Sequence, residues 1–260
     1  METVQPTTPP AYKEWKARLE ELKTEFRTSN GYRYWYYIGE FRKAFDIWND
    51  EHVEFADLLL SYEQDAKFLL GLNNIDRPEE RARLLRLLDR KALACMASYK
   101  ALEDHIKSTL HVVSSAELEE EFTHRFTATR RDHASVAFML RFRNYLQHHK
   151  TAPWGMSLNF DPGGFQGEMW LNATNLLAWD GFSGKARRFL RDNQPTFHFR
   201  PVLVEFGERC SELALWYDDA VRREGATAMA EAEQLRLAAV RHHDSYEPGP
   251  PVQAGPAPSA

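Results

Sequence analysis

The sequence predicts an all-α protein, a multi-helix bundle that carries one small β-hairpin. Apolar residues recur at steps of three and four over most of the 260 residues, which is the spacing of one buried helix face. Short apolar runs flank the turn-rich segment 161–164, and this pattern predicts the hairpin. With 43% apolar and 27% charged residues, the composition is typical of a folded globular chain rather than a disordered one.

The two ends of the chain differ in composition from the part between them. Residues 1–10 contain three prolines and few apolar residues, so we expect a flexible N-terminal tail. Residues 243–260 are rich in Pro, Ala and Gly, and we expect a disordered tail there. The N-terminus shows no basic segment followed by an apolar run, and no stretch of about 20 apolar residues occurs. These patterns predict a cytoplasmic protein without a membrane anchor.

Residues 11–112 are predicted to form an N-terminal helical region packed on the rest of the chain. The first helix shows one apolar stripe of Trp15, Leu19, Leu22 and Phe26. The triplet 29–31 should end that helix, and the aromatic block Tyr32–Tyr37 opens a second helical run that we expect to break at Asn49–Asp50. Segment 76–80 predicts the start of a third, long helix, because it has proline in the first turn and acids near the positive end of the dipole.

Residues 113–242 are predicted to form a second helical domain. Ser114–Ser115 followed by acidic residues predicts a helix N-cap, and helical spacing continues to about Lys150, before Pro153. The hairpin is predicted near residues 156–171. Further helices are predicted at residues 185–191, 201–221 and 227–242.

Neither a metal nor a cofactor is predicted. Cys95 and Cys210 are the two cysteines and lie far apart in sequence, which argues against a disulfide framework and a cysteine-rich zinc site. The acidic residues and histidine at 50–54 lack the spacing of known metal-ligand motifs.

A group of polar residues stands at the end of the helix that precedes Pro153. At about 100° per residue, one broad side of this helix holds Phe138, Met139, Phe142, Tyr145 and Leu146. An arc of about 140° beside it holds Arg143, Gln147, Asn144 and His148. Asn144 and His148 are four residues apart and can touch.

These residue types suit the cleavage of RNA without a metal. RNA carries its own nucleophile, the 2′-hydroxyl, so a base, an acid and a phosphate clamp suffice. His148 can deprotonate the 2′-hydroxyl or protonate the leaving 5′-oxygen, because imidazole changes its charge near neutral pH. Arg143 presents a planar fork of donors to the phosphate oxygens as negative charge builds on them. Asn144 can hold the His148 ring in one orientation, or meet the opposite protomer of a dimer.

The segment from Arg143 to His148 resembles the motif of the HEPN superfamily (higher eukaryotes and prokaryotes nucleotide-binding domains). That motif is an arginine, often followed by a polar residue, with a histidine after four to six intervening residues; here four precede His148 and five precede His149. The resemblance implies an all-α, HEPN-like domain over residues 113–242 that forms a homodimer with two motifs at the interface. The hairpin would be an insertion in it.

The same resemblance implies an activity and partners. Many HEPN proteins are metal-independent endoribonucleases, including toxins and phage-defence effectors, and others are binding modules that have lost catalysis. Arg143 and His148 would then be the catalytic pair with Asn144 in support, and the products would carry a 2′,3′-cyclic phosphate and a 5′-hydroxyl. RNA, a second copy of the chain and an antitoxin or regulatory protein are the expected partners.

The local charge favours contact with RNA. The net charge is −5, yet residues 125–150 hold six basic residues and one acidic residue. Because backbone phosphates supply most non-specific affinity, we predict an RNA-binding set of Arg130, Arg131, Arg141, His149 and Lys150. A second basic cluster, which could extend this surface, consists of Lys185, Arg187, Arg188 and Arg191.

The same residues also admit structural interpretations. Arg143 can brace the bundle through a salt bridge, His148 can be a solvated cation at the helix end, and His149 can pack or cap. The aromatic block Tyr32–Tyr37 fits a buried or interface helix better than a base-stacking surface. The aromatic first half and the acidic net charge support a second hypothesis, a non-catalytic helical module that binds a partner protein or a nucleotide.

Overall fold

The fold is all-α with one small sheet, so the predicted fold class is confirmed. The structure is a computed structural model, and it describes residues 10–65, 67, 70, 78–162, 164–182 and 184–246. The helices of this part are α1 (Pro10–Thr28), α2 (Asn30–Gln64), α3 (Pro78–Val113), α4 (Ala116–Asp132), α5 (Ala134–His148), α6 (Ala173–Leu177), α7 (Gly184–Asp192) and α8 (Phe199–Asp244). The strands are β1 (Trp154–Asp161), β2 (Gly164–Asn172) and β3 (Thr196–His198). None of the described helices combines the length and the hydrophobicity that a bilayer span requires.

The chain divides into two compact units. One contains residues 1–37 and 222–260, and the other contains residues 38–221. Both divisions fall inside helices, since α2 and α8 each run across one of them. The separate N-terminal region predicted for residues 11–112 stays a prediction, and the two predicted tails fall mostly outside the described residues.

The first unit is built from α1, the first turns of α2 and the last part of α8. The Trp15 indole N–H donates to the His242 carbonyl at 2.9 Å, and His242 Nε2 lies 3.0 Å from the Trp15 carbonyl. The helices α2 and α8 approach so closely in this unit that a Cβ on Gly31 would lie 1.9 Å from the Ala228 carbonyl oxygen. A glycine is therefore needed at this approach.

The core of the second unit is rich in aromatic rings. Phe138 and Phe142 of α5 stack at 5.3 Å and are fully buried. Phe138 also meets the rings of Phe182, Phe189 and Phe197. α5 packs against α3, α4 and α7, so its apolar side is fixed by three neighbours and its polar side has a defined position.

The sheet is antiparallel, in the order β1-β2-β3. The β1–β2 hairpin is confirmed but is longer than predicted, since it pairs Trp154 with Leu171 at its base and Asp161 with Gly164 at its tip. β3 adds three residues beside Trp170–Asn172 and was not predicted, because a three-residue strand shows no periodicity.

A buried carboxylate joins α2 to the sheet. Glu63 is 6% exposed and accepts a hydrogen bond from Arg200 Nε at 2.6 Å, another from His198 Nε2, and a long one of 3.4 Å from the Met169 N–H. Burial alone would raise the pKa of the Glu63 carboxyl, but the hydrogen bonds and charges of His198 and Arg200 outweigh burial and lower it. The cluster links α2, β2, β3 and α8.

Two predicted helix boundaries are wrong, and packing explains both. No break occurs at Asn49–Asp50, because Trp48 and Phe55 on either side are completely buried and hold α2 in one piece. The two helices predicted at 201–221 and 227–242 form one helix, α8. The glycine between them, Gly225, lies against the Tyr34 ring and leaves the helix intact. The predicted N-cap is confirmed, since the Ser115 hydroxyl accepts the Leu118 N–H at 3.3 Å.

A half-buried histidine, His52, makes the second unit sensitive to acid. The His52 ring fits against Gly207, and His52 Nε2 donates to the Leu203 carbonyl at 2.9 Å. Burial lowers the pKa of His52 despite this hydrogen bond. Its contribution to stability is therefore present above the unfolded-state pKa, about 6.5, and is lost as the pH falls through the lower folded-state pKa.

We expect the unfolding free energy, measured by urea titration between pH 8 and pH 5, to fall more steeply in the wild type than in His52→Gln. Each unit by which folding lowers the pKa corresponds to about 1.4 kcal/mol. His111→Gln removes an exposed histidine of α3 and should keep the wild-type slope. Equal slopes for wild type and His52→Gln would contradict the prediction.

Candidate functional site

The polar arc predicted from the sequence lies on the side of α5 that faces away from the core. The buried residues of this helix are Ser135, Val136, Phe138, Met139, Phe142 and Tyr145. In the arc, Arg143 and Asn144 are half-buried, and Gln147 and His148 are exposed. The arrangement predicted from the helical spacing is therefore the one that the structure shows.

Arg143 and His148 lie at the two edges of this arc. They are about 140° apart around the helix and about 7.5 Å apart along its axis. Arg143 Nε is buried and has no hydrogen-bond partner within the described part of the chain. His148 is the last residue of the helix, at the negative end of its dipole. Over the described residues neither side chain forms an ion pair, so the bracing salt bridge considered for Arg143 is absent there.

Asn144 lies between these two residues but does not join them. It is half-buried, and in the described part of the structure its side chain makes no hydrogen bond to His148. Its position four residues before His148 keeps such a contact within reach of a side-chain rotation.

His149 lies in an aromatic cluster beside the arc. Its ring stacks on Trp179 at 5.8 Å and meets Tyr145 at 5.2 Å, and its backbone N–H caps α5 by donating to the Tyr145 carbonyl at 3.0 Å. Lys150 is exposed just beyond the helix end. His149 is exposed as well, so both residues lie on the open surface at the end of α5.

The other three residues of the predicted RNA-binding set meet at one place, which we call the basic groove. Its volume is about 260 Å³, and its lining consists of Thr127, Arg130, Arg131, Ala137, Arg141, Lys185 and Ala186. The arginines come from the last turn of α4 and from α5, and Lys185 comes from the first turn of α7. Within the described part of the lining, four side chains are cationic and none is acidic.

One carboxylate near the groove offsets part of this charge. Asp132 accepts two hydrogen bonds from Arg131, at 2.8 and 3.0 Å. The hydrogen bond from Arg131 and the charges of Arg131, Lys185 and His133 lower the pKa of the Asp132 carboxyl. Arg130 lies over the Phe126 ring at 5.5 Å. The groove retains a clear excess of positive charge.

The basic groove shares one side of α5 with Asn144 and His148, whereas Arg143 lies at the opposite edge of the arc. Ala137, Arg141, Asn144 and His148 follow each other at steps of four, three and four residues, which is a single helical stripe. At about 100° per residue they fall within about 60° of the helix circumference. A phosphate chain laid along this stripe would meet the groove first and His148 next.

No group of three or more His, Cys, Asp or Glu side chains in the described part of the chain is placed to hold a metal ion. Cys95 and Cys210 are both buried and unpaired. Burial raises the pKa of the Cys95 thiol to about 12, so Cys95 is a weak nucleophile at neutral pH.

Comparisons with known proteins return no match among protein-family models, curated proteins or solved structures. The resemblance to the HEPN superfamily is thus carried by Arg143, Asn144 and His148 alone.

Proposed function

We propose that this protein is a metal-independent endoribonuclease of the HEPN type. The observation that carries the proposal is the stripe on α5, which aligns the basic groove with Asn144 and His148. An anionic polymer that binds the groove through its phosphates and continues along this stripe would reach His148 at the helix end. The polymer is RNA, because only RNA brings the 2′-hydroxyl that makes cleavage possible without a metal.

The proposed reaction is an attack of the 2′-oxygen on the adjacent phosphorus. A base removes the 2′-hydroxyl proton, the phosphorus–5′-oxygen bond breaks, and an acid gives a proton to the leaving 5′-oxygen. His148 serves as base in one copy of the chain and as acid in the other, in a homodimer whose two-fold axis brings the motifs together. The products carry a 2′,3′-cyclic phosphate and a 5′-hydroxyl.

Arg143 stabilises the charge that develops on the phosphate. Its stem is half-buried, which limits its motion, and in the described structure no carboxylate forms an ion pair with it that would compete with a phosphate. A guanidinium held in this way loses less entropy when it binds than a fully mobile one. Asn144 orients the His148 ring, and Arg130, Arg131, Arg141 and Lys150 hold the RNA backbone.

This activity fits a cytoplasmic toxin or antiviral defence effector. An enzyme that cleaves RNA by holding its backbone needs restraint, so an antitoxin or regulatory protein is the partner that we propose in addition to RNA and the second protomer.

The test is RNA cleavage in the presence of EDTA. We expect the wild type to cleave single-stranded RNA. We expect Arg143→Ala, which loses a charge-stabilising group, and His148→Ala, which loses a general acid–base group, each to be slower by at least about 100-fold. Gln147→Ala removes an exposed side chain of the same arc and should keep the wild-type rate. Equal cleavage by wild type, Arg143→Ala and His148→Ala would overturn the proposal.

Two further outcomes separate this proposal from the binding-module hypothesis. A monomer at micromolar concentration in light scattering would contradict the composite site. Absence of cleavage, together with a tight stoichiometric complex unaffected by Arg143→Ala and His148→Ala, would favour a non-catalytic interaction module.

A further inference from the structure

The size of the basic groove limits what it can enclose. Its volume of about 260 Å³ is below the range of about 300–1,000 Å³ of pockets that bury drug-sized ligands. One phosphate group, or two joined together, fits this volume. The groove therefore suits the phosphate part of a ligand, with the remainder outside.

The positive charge of the groove is larger than the single negative charge of one phosphodiester linkage. Four cationic side chains and no acidic one belong to the described part of its lining, and the nearby carboxylate of Asp132 is paired with Arg131. The first turn of α7 adds to this potential, because Lys185 and Ala186 of that turn line the groove and the N-terminal N–H groups of a helix lack intrahelical partners. A phosphodiester carries one negative charge, but a phosphate monoester carries about 1.5 to 2 near neutral pH.

We infer that the basic groove binds a terminal phosphate monoester of an RNA chain. Three oxygens of such a group point outwards, and the donors of Arg130, Arg141 and Lys185 reach it from three helices, α4, α5 and α7. A linkage inside the chain offers two such oxygens and half the charge. The inference deepens the proposed function, on which it rests for the identity of the polymer.

A phosphate held in the groove fixes the register of the RNA on α5. His148 comes seven residues after Arg141, which is about 10 Å further along the helix axis. A stacked strand advances by about 3.4 Å per nucleotide, so this distance corresponds to about three nucleotides. Cleavage then falls within the first few nucleotides from the phosphorylated end.

The binding experiment compares three RNAs of one sequence of ten nucleotides, with a 5′-phosphate, with a 3′-phosphate, or with hydroxyls at both ends. They compete for His148→Ala protein against one labelled RNA, and His148→Ala is used because it blocks cleavage. We expect one of the phosphorylated RNAs to bind at least about tenfold more tightly than the hydroxyl form, and the arm that does so identifies the end. Equal affinities of all three RNAs would overturn the inference.

Variants assign the effect to the groove. Arg141→Gln and Lys185→Gln should each remove most of the preference, whereas Arg86→Gln, which removes an exposed arginine of α3 that does not line the groove, should retain it. Both groove residues are exposed, so their replacement leaves the core untouched, and circular dichroism checks the fold. A preference that survives both groove variants would also overturn the inference.

A probe without RNA separates this inference from the proposed function. Sodium pyrophosphate should raise the melting temperature of the wild type and of Arg86→Gln, but not that of the Arg141→Gln/Lys185→Gln double variant. An equal rise in the melting temperature of the double variant would contradict the binding of phosphate groups in the basic groove. Binding that depends on the terminal phosphate, without cleavage, would support this inference and contradict the nuclease proposal. Cleavage with equal affinities for all three RNAs would support the nuclease proposal and contradict this inference.

Discussion

Replacement of Glu63 by alanine is expected to lower the free energy of unfolding by about 3–5 kcal/mol. Glu63 is the one acidic member of a cluster with His198 and Arg200, and its side chain is 6% exposed. Its removal leaves the Arg200 guanidinium without its partner at the junction of α2, the sheet and α8. Because Arg200 is 31% exposed and water can reach it, we expect the lower end of that range.

The measurement is urea denaturation, with the change read from the midpoint at a constant m-value. Glu54→Ala is the matched control, since Glu54 lies on the same helix and pairs with Lys91 at 2.6 Å but is 64% exposed; this pair should contribute at most about 1 kcal/mol. Equal losses in the two variants would refute the role given to the cluster.

The same cluster sets a pH dependence. Folding lowers the pKa of Glu63, so its contribution is present above the unfolded-state pKa of about 4.3 and is lost as the pH falls through the folded-state pKa. The difference in stability between wild type and Glu63→Ala should therefore be constant near neutral pH and shrink below about pH 4.

Replacement of Gly31 by alanine is the second large effect that we expect, a loss of about 3 kcal/mol. A Cβ at this position would lie 1.9 Å from the Ala228 carbonyl oxygen and 2.6 Å from the Ala232 Cβ. The first of these atoms belongs to a helix backbone, so no side-chain rotation relieves the overlap and α2 must move away from α8.

The same helix supplies a control of opposite sign. A Cβ built on Gly39, also in α2, would meet no other heavy atom of the described structure within 4 Å beyond its chain neighbours and the local helix backbone. Gly39→Ala should therefore raise stability by about 0.5–1 kcal/mol, through the higher helix propensity of alanine. Thermal denaturation of the two variants should give melting temperatures on opposite sides of the wild type. An undiminished melting temperature for Gly31→Ala would show that the close approach of α2 to α8 does not contribute to stability through this glycine.

The fold class could be predicted because its signals are local. The apolar stripes, the Ser115 cap and the turn at Asp161–Gly164 each involve residues close in sequence. The continuity of α2 through Asn49–Asp50 could not be predicted from the sequence, because it depends on which residues pack over Trp48 and Phe55. The same holds for β3, whose position depends on pairing with Trp170–Asn172.

The candidate site was predictable along one helix but not between helices. The arc from Arg143 to His148 follows from the helical period alone. The meeting of Arg130, Arg141 and Lys185 requires the packing of α5 on α4 and α7 across the intervening hairpin, which no periodicity encodes. The stacking of His149 on Trp179 likewise joins residues separated by the whole hairpin.

The pairing of Trp15 with His242 has a consequence for biosynthesis. The two residues are 227 positions apart, and a ribosome adds about 5–20 residues per second, so α1 waits roughly 10–45 s for its partner on α8. During that interval the apolar stripe of α1 lacks its native contacts with α8. The nascent N-terminal helix therefore exposes apolar side chains of the kind that chaperones bind. A chain truncated before residue 222 would keep that helix in this state permanently.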